Sequence, residues 1–161
     1  PHAVPSDRVI EKGDFVLMDY GAGYCDYRSD MTRTVVMGGP TQEQLDLYAL
    51  VRRTHEECVA AIHPGVEGND IFKLSKKIIG DAGYGDYYNH GLGHGVGIDI
   101  HELPNFNRSK NTIEIGSVVT MEPGVYLPGV GGVRLEDYGV VTENGYEPFT
   151  KTPHDLHVID C

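Results

Sequence analysis

Carboxylates interrupt several strand-like apolar runs of this sequence, at positions where a charge is costly to bury. Asp19 lies within FVLMDYG, and Asp30 comes directly before MTRTVVM. Glu122 and Glu136 lie at the ends of two valine-rich runs. An ionised carboxylate inside a buried strand is strongly destabilising unless it is paired or coordinated. These positions, together with a nearby set of histidines, suggest a shared cation.

The histidines are concentrated in HGLGHGVGIDIHE, at residues 90–102, which contains His90, His94 and His101 among glycines. A glycine-rich loop with histidines is, taken alone, most often a surface turn. Such imidazoles can also bind a metal or move protons beside a substrate. Mixed oxygen and imidazole ligands without cysteine suit manganese, cobalt, iron or zinc. Four carboxylates and one histidine suit two ions better than one, with carboxylates bridging them.

The composition excludes several classes of protein. The chain has 161 residues, of which 40% are hydrophobic and 23% charged, as in one globular domain. Its net charge of −11 argues against nucleic acid or an anionic membrane as a partner. No apolar run approaches the roughly 18 residues of a membrane span. The cysteines are widely spaced, with no C-x-x-C pair, which favours a reducing, cytoplasmic setting.

The hydrophobic periodicity predicts a single α+β domain over residues 1–161. Thr41 and Gln44 form a capping-box pattern that opens a long helix, which Pro64 and Gly65 end. A second helix is predicted over about 69–81. The strands are predicted from alternation and valine content at five places: 14–22, 29–38, 117–127, 131–142 and 155–160.

The joint pattern resembles the pita-bread metallopeptidases, also described as the creatinase/aminopeptidase-like fold. The motifs that carry the resemblance occur in family order over residues 2–160: MDYGAGYCDYRSDMTRT, HGLGHGVG, HELP, TMEPGVY and GGVRLED. The last motif is typical of the Xaa-Pro dipeptidase (prolidase) and aminopeptidase P branch and differs from methionine aminopeptidases. The resemblance implies an antiparallel curved sheet backed by helices. Because relatives begin further upstream, we expect a catalytic domain fragment that lacks the N-terminal part of the domain and exposes an apolar face.

The resemblance also implies a ligand set for two divalent ions. The implied metal ligands are Asp19, Asp30, His94, Glu122 and Glu136. Asp30 and Glu136 would bridge the ions, whereas Asp19 would serve one ion, and His94 and Glu122 the other. Manganese is the first expectation, with cobalt or zinc as alternatives. A water that bridges two such ions loses its proton near neutrality and can attack an amide carbonyl as hydroxide.

Further residues receive roles from the same resemblance. Glu122 and His101 would be catalytic: Glu122 passes the proton of the water to the leaving nitrogen, and His101 donates a hydrogen bond to the oxyanion. Arg134 would pair with the free carboxylate of a substrate that ends in proline. The full substrate-binding set is His2, His90, His101, Tyr126 and Arg134. The remaining histidines, His55, His63, His154 and His157, are interpreted as structural or surface residues.

The predicted function is hydrolysis of the bond between an N-terminal residue and proline, in Xaa-Pro dipeptides or in peptides with proline in second position. The sequence leaves open the choice between a dipeptidase and an aminopeptidase P. A methionine-type or other aminopeptidase on the same site is one alternative, which GGVRLED disfavours. A non-peptidase creatinase-like or binding member of the fold is another, although such members typically lose the ligands that this chain keeps. A homodimer is possible, as in relatives.

Overall fold

A computed structural model describes residues 1–2 and 4–160 of the chain. Within these residues, four strands precede two consecutive α-helices, one 3₁₀ turn, Gly85–Tyr87, follows the second helix, and eight strands complete the chain. The elements in chain order are β1 (Phe15–Tyr20), β2 (Gly23–Tyr24), β3 (Tyr27–Arg28), β4 (Met31–Met37), α1 (Gln42–Ala60), α2 (Gly68–Asp81), β5 (Gly93–Gly95), β6 (Glu102–Phe106), β7 (Val118–Met121), β8 (Gly124–Leu127), β9 (Gly131–Arg134), β10 (Asp137–Thr142), β11 (Gly145–Pro148) and β12 (His157–Ile159).

The strands form two main sheets and two hairpins. One sheet has the order β1-β4-β12, in which β1 is antiparallel and β12 parallel to β4. The other has the order β11-β10-β7-β5-β6 and is antiparallel throughout. The β2–β3 hairpin turns at Cys25 and Asp26, whose positive φ values of 48° and 68° are those that a two-residue hairpin turn favours. A bridge between Thr32 and Glu136 links the two sheets.

Helix α1 begins at the predicted capping box. The Thr41 hydroxyl accepts a hydrogen bond from the backbone N–H of Gln44, and the Gln44 side chain accepts one from the backbone N–H of Thr41. Leu47, Val51 and Cys58 recur at helical spacing and are completely buried. They belong to one hydrophobic core that also contains α2 residues and the inner faces of β7, β8 and β9. The helix is therefore held by its apolar face against the strands that carry the candidate site.

The prediction of continuous strands over 117–127 and 131–142 is wrong. The first run divides into β7 and β8 at Glu122 and Pro123, because proline has no N–H to donate to the sheet. The second divides into β9 and β10 at Leu135 and Glu136. The short strands β5 and β6 were not predicted, since β5 has three residues of which two are glycine, and β6 contains a proline.

Two apolar side chains of the outer strand β1 are exposed, while the expected apolar face left by a missing N-terminal part stays a prediction. Met18 and Tyr20 lie two residues apart on one side of the strand and are 40% and 53% exposed. Cys25 and Cys58 carry free thiols, while Cys161 lies outside the described residues. Across the part of the chain that the structure describes, neither helix combines the length and the apolar character needed to cross a membrane.

Candidate metal centre

Strand register brings several of the predicted ligands to one side of the molecule. Asp19 on β1 pairs with Thr32 on β4, and cross-strand partners share a face of a sheet. Asp30 lies two residues before Thr32, so strand alternation directs its side chain to the same face. Thr32 also bridges to Glu136, and its hydroxyl donates a 2.6 Å hydrogen bond to Oε2 of that carboxylate.

Glu122 and Glu136 lie next to each other, just beyond the last paired residues of β7 and β10. Strands β7 and β10 pair Met121 with Asp137, so the residues just beyond this pair, Glu122 and Glu136, lie side by side. The Thr120 hydroxyl is 3.4 Å from Oε1 of Glu122 and accepts a 3.1 Å hydrogen bond from the backbone N–H of His94. The break after β7, which interrupts a valine-rich run, therefore places one carboxylate beside another and beside His94.

His94 presents a free ring nitrogen to these carboxylates. Its Nδ1 is 3.0 Å from the carbonyl oxygen of Gly95, which can only accept, so Nδ1 carries the proton and Nε2 keeps its lone pair. The Nε2 atom is 3.7 Å from Oδ2 of Asp30 and 3.4 Å from Oε1 of Glu122. Ligand atoms of Asp30, His94 and Glu136 all lie within 4.8 Å of one another. One imidazole and several carboxylates thus face a common point.

The electrostatics of this point fit a bound cation. Burial, reinforced by the neighbouring Asp19, raises the pKa of Asp30 to about 6. Burial likewise raises the pKa of Glu122 to about 7, and it raises the pKa of Glu136 well above the usual range. Oε1 of Glu136 is buried and has no hydrogen-bond partner among the described residues. A divalent cation would relieve the crowding of acids and satisfy this oxygen, so the residues fit such an ion.

The candidate ligands line a cavity of about 180 Å³. Four other residues with a predicted substrate or catalytic role, His2, His90, His101 and Arg134, share its wall. The residues that line the cavity are Pro1, His2, Asp19, Asp30, His90, Gly91, Gly93, His94, His101, Glu122, Arg134 and Glu136. The His101 ring is exposed and packs at 4.2 Å, centroid to centroid, against that of His94. Tyr126, the remaining predicted substrate residue, is not part of this lining.

Arg134 is the main positive charge in the wall of the cavity. Its side chain is only 3% exposed and forms an ion pair with Asp19. Its Nε donates a 3.1 Å hydrogen bond to the Thr32 hydroxyl, and its Nη1 donates a 2.9 Å hydrogen bond to the Tyr126 hydroxyl. The guanidinium thereby fixes the carboxylate of Asp19 and partly balances the acidic cluster.

Tyr126 lies behind the cavity and orients His90. Nδ1 of His90 is 2.7 Å from the carbonyl oxygen of Gly91 and therefore carries the ring proton. Its Nε2, 3.0 Å from the Tyr126 hydroxyl, accepts the hydrogen bond. Burial lowers the pKa of His90 to about 4, so the ring is neutral in this arrangement. His90 thus lines the cavity with both nitrogens engaged.

Three residues that support the site were not predicted from the sequence. Thr32 and Thr120 hold Glu136 and the strand of His94, as described above. At Gly93, a Cβ atom would lie 2.2 Å from the carbonyl oxygen of Thr120, so only glycine allows β5 to approach β7 so closely. The only available signal was the two-residue spacing of Asp30 and Thr32, which places both on one face of a strand.

Residues 1–143 match the metallopeptidase family M24. The chain belongs to this family. It is 45% identical, over 157 residues and 97% of its length, to the Xaa-Pro dipeptidase of Pyrococcus furiosus, of which it covers 45%. The prolidase structure from Pyrococcus horikoshii superposes with a TM-score of 0.94 at 43% identity, over 97% of this chain and 45% of that one.

The X-Pro aminopeptidase structure from Thermotoga maritima superposes equally well, with a TM-score of 0.95 at 35% identity, over 99% of this chain and 46% of that one. These likenesses confirm the expected pita-bread fold. The chain spans less than half the length of these relatives.

Proposed function

We propose that the M24 protein to which this chain belongs hydrolyses the bond between an N-terminal residue and proline, with two divalent cations held by Asp19, Asp30, His94, Glu122 and Glu136. The observation that carries the proposal is the convergence of Asp30, His94 and Glu136 ligand atoms within 4.8 Å, in a cavity that also contains the other two carboxylates. The proline-directed relatives support the substrate class. Manganese is the first candidate for the metal, followed by cobalt and zinc.

The cations, when bound, would supply Lewis acidity for the attack on the amide carbonyl. The protein side chains then have to position the substrate and move protons. Oε1 of Glu122 lies 3.4 Å from Nε2 of His94. Glu122 would take the proton of the attacking water and give it to the proline nitrogen, which must leave as an amine. His101, exposed at the cavity, would donate a hydrogen bond to the carbonyl oxygen as negative charge develops there.

The pocket residues would fix the two ends of the substrate. His2 and His90 line the wall, and Arg134 is the guanidinium available for a proline carboxylate. The donors of Arg134 already contact Asp19, Thr32 and Tyr126, so a substrate carboxylate would have to share this guanidinium with Asp19. The pairing of Arg134 with substrate, the homodimer and the cytoplasmic location all stay predictions.

The test is a cleavage assay on Gly-Pro, an Xaa-Pro-Pro peptide and Met-Ala, before and after chelation of metal. We expect cleavage of proline substrates only, loss on chelation, and recovery with Mn²⁺. Glu136→Gln should lower kcat/KM by more than about 10²-fold. Substitution of a residue that only hydrogen-bonds to a metal ligand already lowers activity by about 10–100-fold, and Glu136 is itself a proposed ligand. Glu147→Gln, an exposed glutamate on β11, is the matched control and should retain activity.

The two alternatives predict other results. Cleavage of Met-Ala without cleavage of Xaa-Pro would assign a methionine-type aminopeptidase. A protein that binds no divalent cation and cleaves none of the peptides would instead be a creatinase-like or binding member of the fold, and the proposal would be wrong.

A further inference from the structure

A second set of metal-ligating side chains lies outside the cavity. His55 on α1, Asp137 on β10 and His154, which precedes β12, each place one ligand atom within 4.8 Å of the others. Nε2 of His154 is 2.7 Å from Oδ2 of Asp137, and Nε2 of His55 is 3.5 Å from the same oxygen. His55 and Asp137 are buried, whereas the side chain of His154 is 27% exposed. Three distant parts of the chain therefore meet at one carboxylate oxygen.

His55 is unsatisfied in this arrangement. It lies on the buried stripe of α1, four residues after Val51 and three before Cys58, and is 2% exposed. Neither of its ring nitrogens has a hydrogen-bond partner within the described residues. A buried polar group without a partner is rare in folded proteins and is often explained by an ion or water.

We propose that His55, Asp137 and His154 form a second cation site, for zinc or a similar transition metal, separate from the cavity. Two imidazoles and one carboxylate are a frequent zinc ligand set, with water in the fourth position. Zinc–ligand distances of about 2.0–2.1 Å place tetrahedral ligand atoms about 3.3 Å apart. The observed separations of 2.7 and 3.5 Å from Oδ2 lie on either side of that value. The partly exposed His154 provides the route for the ion and the water.

Arg33 is compatible with a cation here because it uses the other oxygen of the carboxylate. Its Nη2 donates a 2.7 Å hydrogen bond to Oδ1 of Asp137 and a 2.8 Å hydrogen bond to the carbonyl of Thr152. The imidazoles of His55 and His154 face Oδ2. Hydrogen bonds of this kind to a ligating carboxylate are usual behind metal ions, since they fix its orientation.

Strand alternation separates this site from the candidate metal centre. Asp137 follows Glu136 directly, so the two side chains point to opposite faces of the strand. The same holds for Thr32, which bonds Glu136, and Arg33, which bonds Asp137. An ion at the second site would therefore fix the reverse side of the backbone that carries Glu136, with no ligand in common.

Zinc stoichiometry after equilibrium dialysis tests the inference on the purified protein. His154→Gln keeps an amide that can donate to Asp137 but cannot replace the imidazole as a ligand. We expect this variant to bind one zinc ion per chain fewer than the wild type. His157→Gln, which changes an exposed histidine on β12, is the matched control and should bind as many ions as the wild type. Equal zinc in His154→Gln and the wild type would overturn the inference.

His94→Ala separates this inference from the proposed function. Zinc should remain at the second site in this variant, and adding His154→Gln should remove one further ion. If His94→Ala binds no zinc, the second site is refuted. If His94→Ala binds as much zinc as the wild type while His154→Gln binds less, the second site stands and the candidate metal centre loses its support.

Cobalt(II) provides a measurement that does not depend on the folding of the His154 variant. In His94→Ala, cobalt at the second site should give the intense visible absorption of tetrahedral Co²⁺. The absence of this band at saturating cobalt would contradict the inference, even if His154→Gln proved unstable.

Discussion

Acidification should destabilise the metal-free protein through His55. The ring is 2% exposed, and burial lowers its pKa from an ordinary 6.5 to about 4. Because the folded-state pKa is below the unfolded one, the unfolded chain binds the proton more tightly. The contribution of His55 to the free energy of unfolding should therefore be undiminished above about pH 6.5 and should fall as the pH drops toward 4. Four ionisable groups face the ring, and burial outweighs them: Asp137, His154, Arg33 and Glu56.

The magnitude follows from the two pKa values. Each pKa unit corresponds to about 1.36 kcal/mol, so the full effect, reached below pH 4, is about 3 kcal/mol. At about pH 5 the ring is almost fully protonated in the unfolded chain and mostly neutral in the folded one, which gives a loss of about 2 kcal/mol. That loss is a large part of a typical domain stability of about 5–15 kcal/mol, so it is measurable by urea unfolding.

The assay compares urea unfolding at about pH 7.5 and about pH 5, with a chelator present, in the wild type and in His55→Leu. Leucine fills the buried position without titrating, so the variant should lose about 2 kcal/mol less than the wild type over this interval. His63→Leu, at an exposed histidine beyond α1, should show the same pH dependence as the wild type. His90, whose pKa burial lowers, and the cavity carboxylates, whose pKa values burial raises, contribute equally to all three proteins. Equal pH dependence in His55→Leu and the wild type would refute the burial argument.

Two further substitutions test how the cavity is built. Gly93→Ala should lower both thermal stability and Mn²⁺ affinity, since its Cβ would collide with the Thr120 carbonyl oxygen. Gly39→Ala is the control and should change neither, because a Cβ at this position meets nothing within 4 Å. Thr32→Val removes the hydroxyl that binds Glu136 and should weaken Mn²⁺ binding about 10–100-fold in calorimetric titration, whereas unchanged affinity would mean that Glu136 needs no such support.

The helices were predictable because their signals are local. The capping box at Thr41 and the apolar spacing of α1 depend only on neighbouring residues, and the structure has both. The strands were harder, since valines on both sides of Glu122 and Pro123 satisfy the alternating pattern without showing the break. Pro123 is a local signal for the break, because it has no N–H for the sheet, but the placement of Glu122 beside Glu136 depends on pairing with β10. Local periodicity therefore predicted the extended region correctly but missed that pairing stops at Glu122, between β7 and β8.

The candidate site was predictable only as a set of ordered motifs. Asp19 or Asp30 alone is an ordinary turn or capping residue, and His94 alone an ordinary loop histidine. The structure brings all five predicted ligands to one cavity, together with four of the five predicted substrate residues. The second cluster had no such signal. His55 sits on an apolar helix stripe and His154 in a connecting segment, so nothing near either residue indicates the other or Asp137.

A cation would have a different effect on each side of the Glu136–Asp137 backbone, where Glu136 faces the cavity and Asp137 faces the second cluster. In the cavity, four carboxylates face one buried guanidinium, Arg134, so the face is strongly negative. Burial there raises the pKa values of Asp30, Glu122 and Glu136. On the reverse face, Arg33 already neutralises Asp137, and the unsatisfied group is the uncharged ring of His55. A cation in the cavity therefore relieves repulsion between charges, whereas one on the reverse face satisfies a lone pair. Chelation should accordingly raise proton uptake in the cavity while leaving the reverse face intact as a hydrogen-bonded Arg33–Asp137–His154 network.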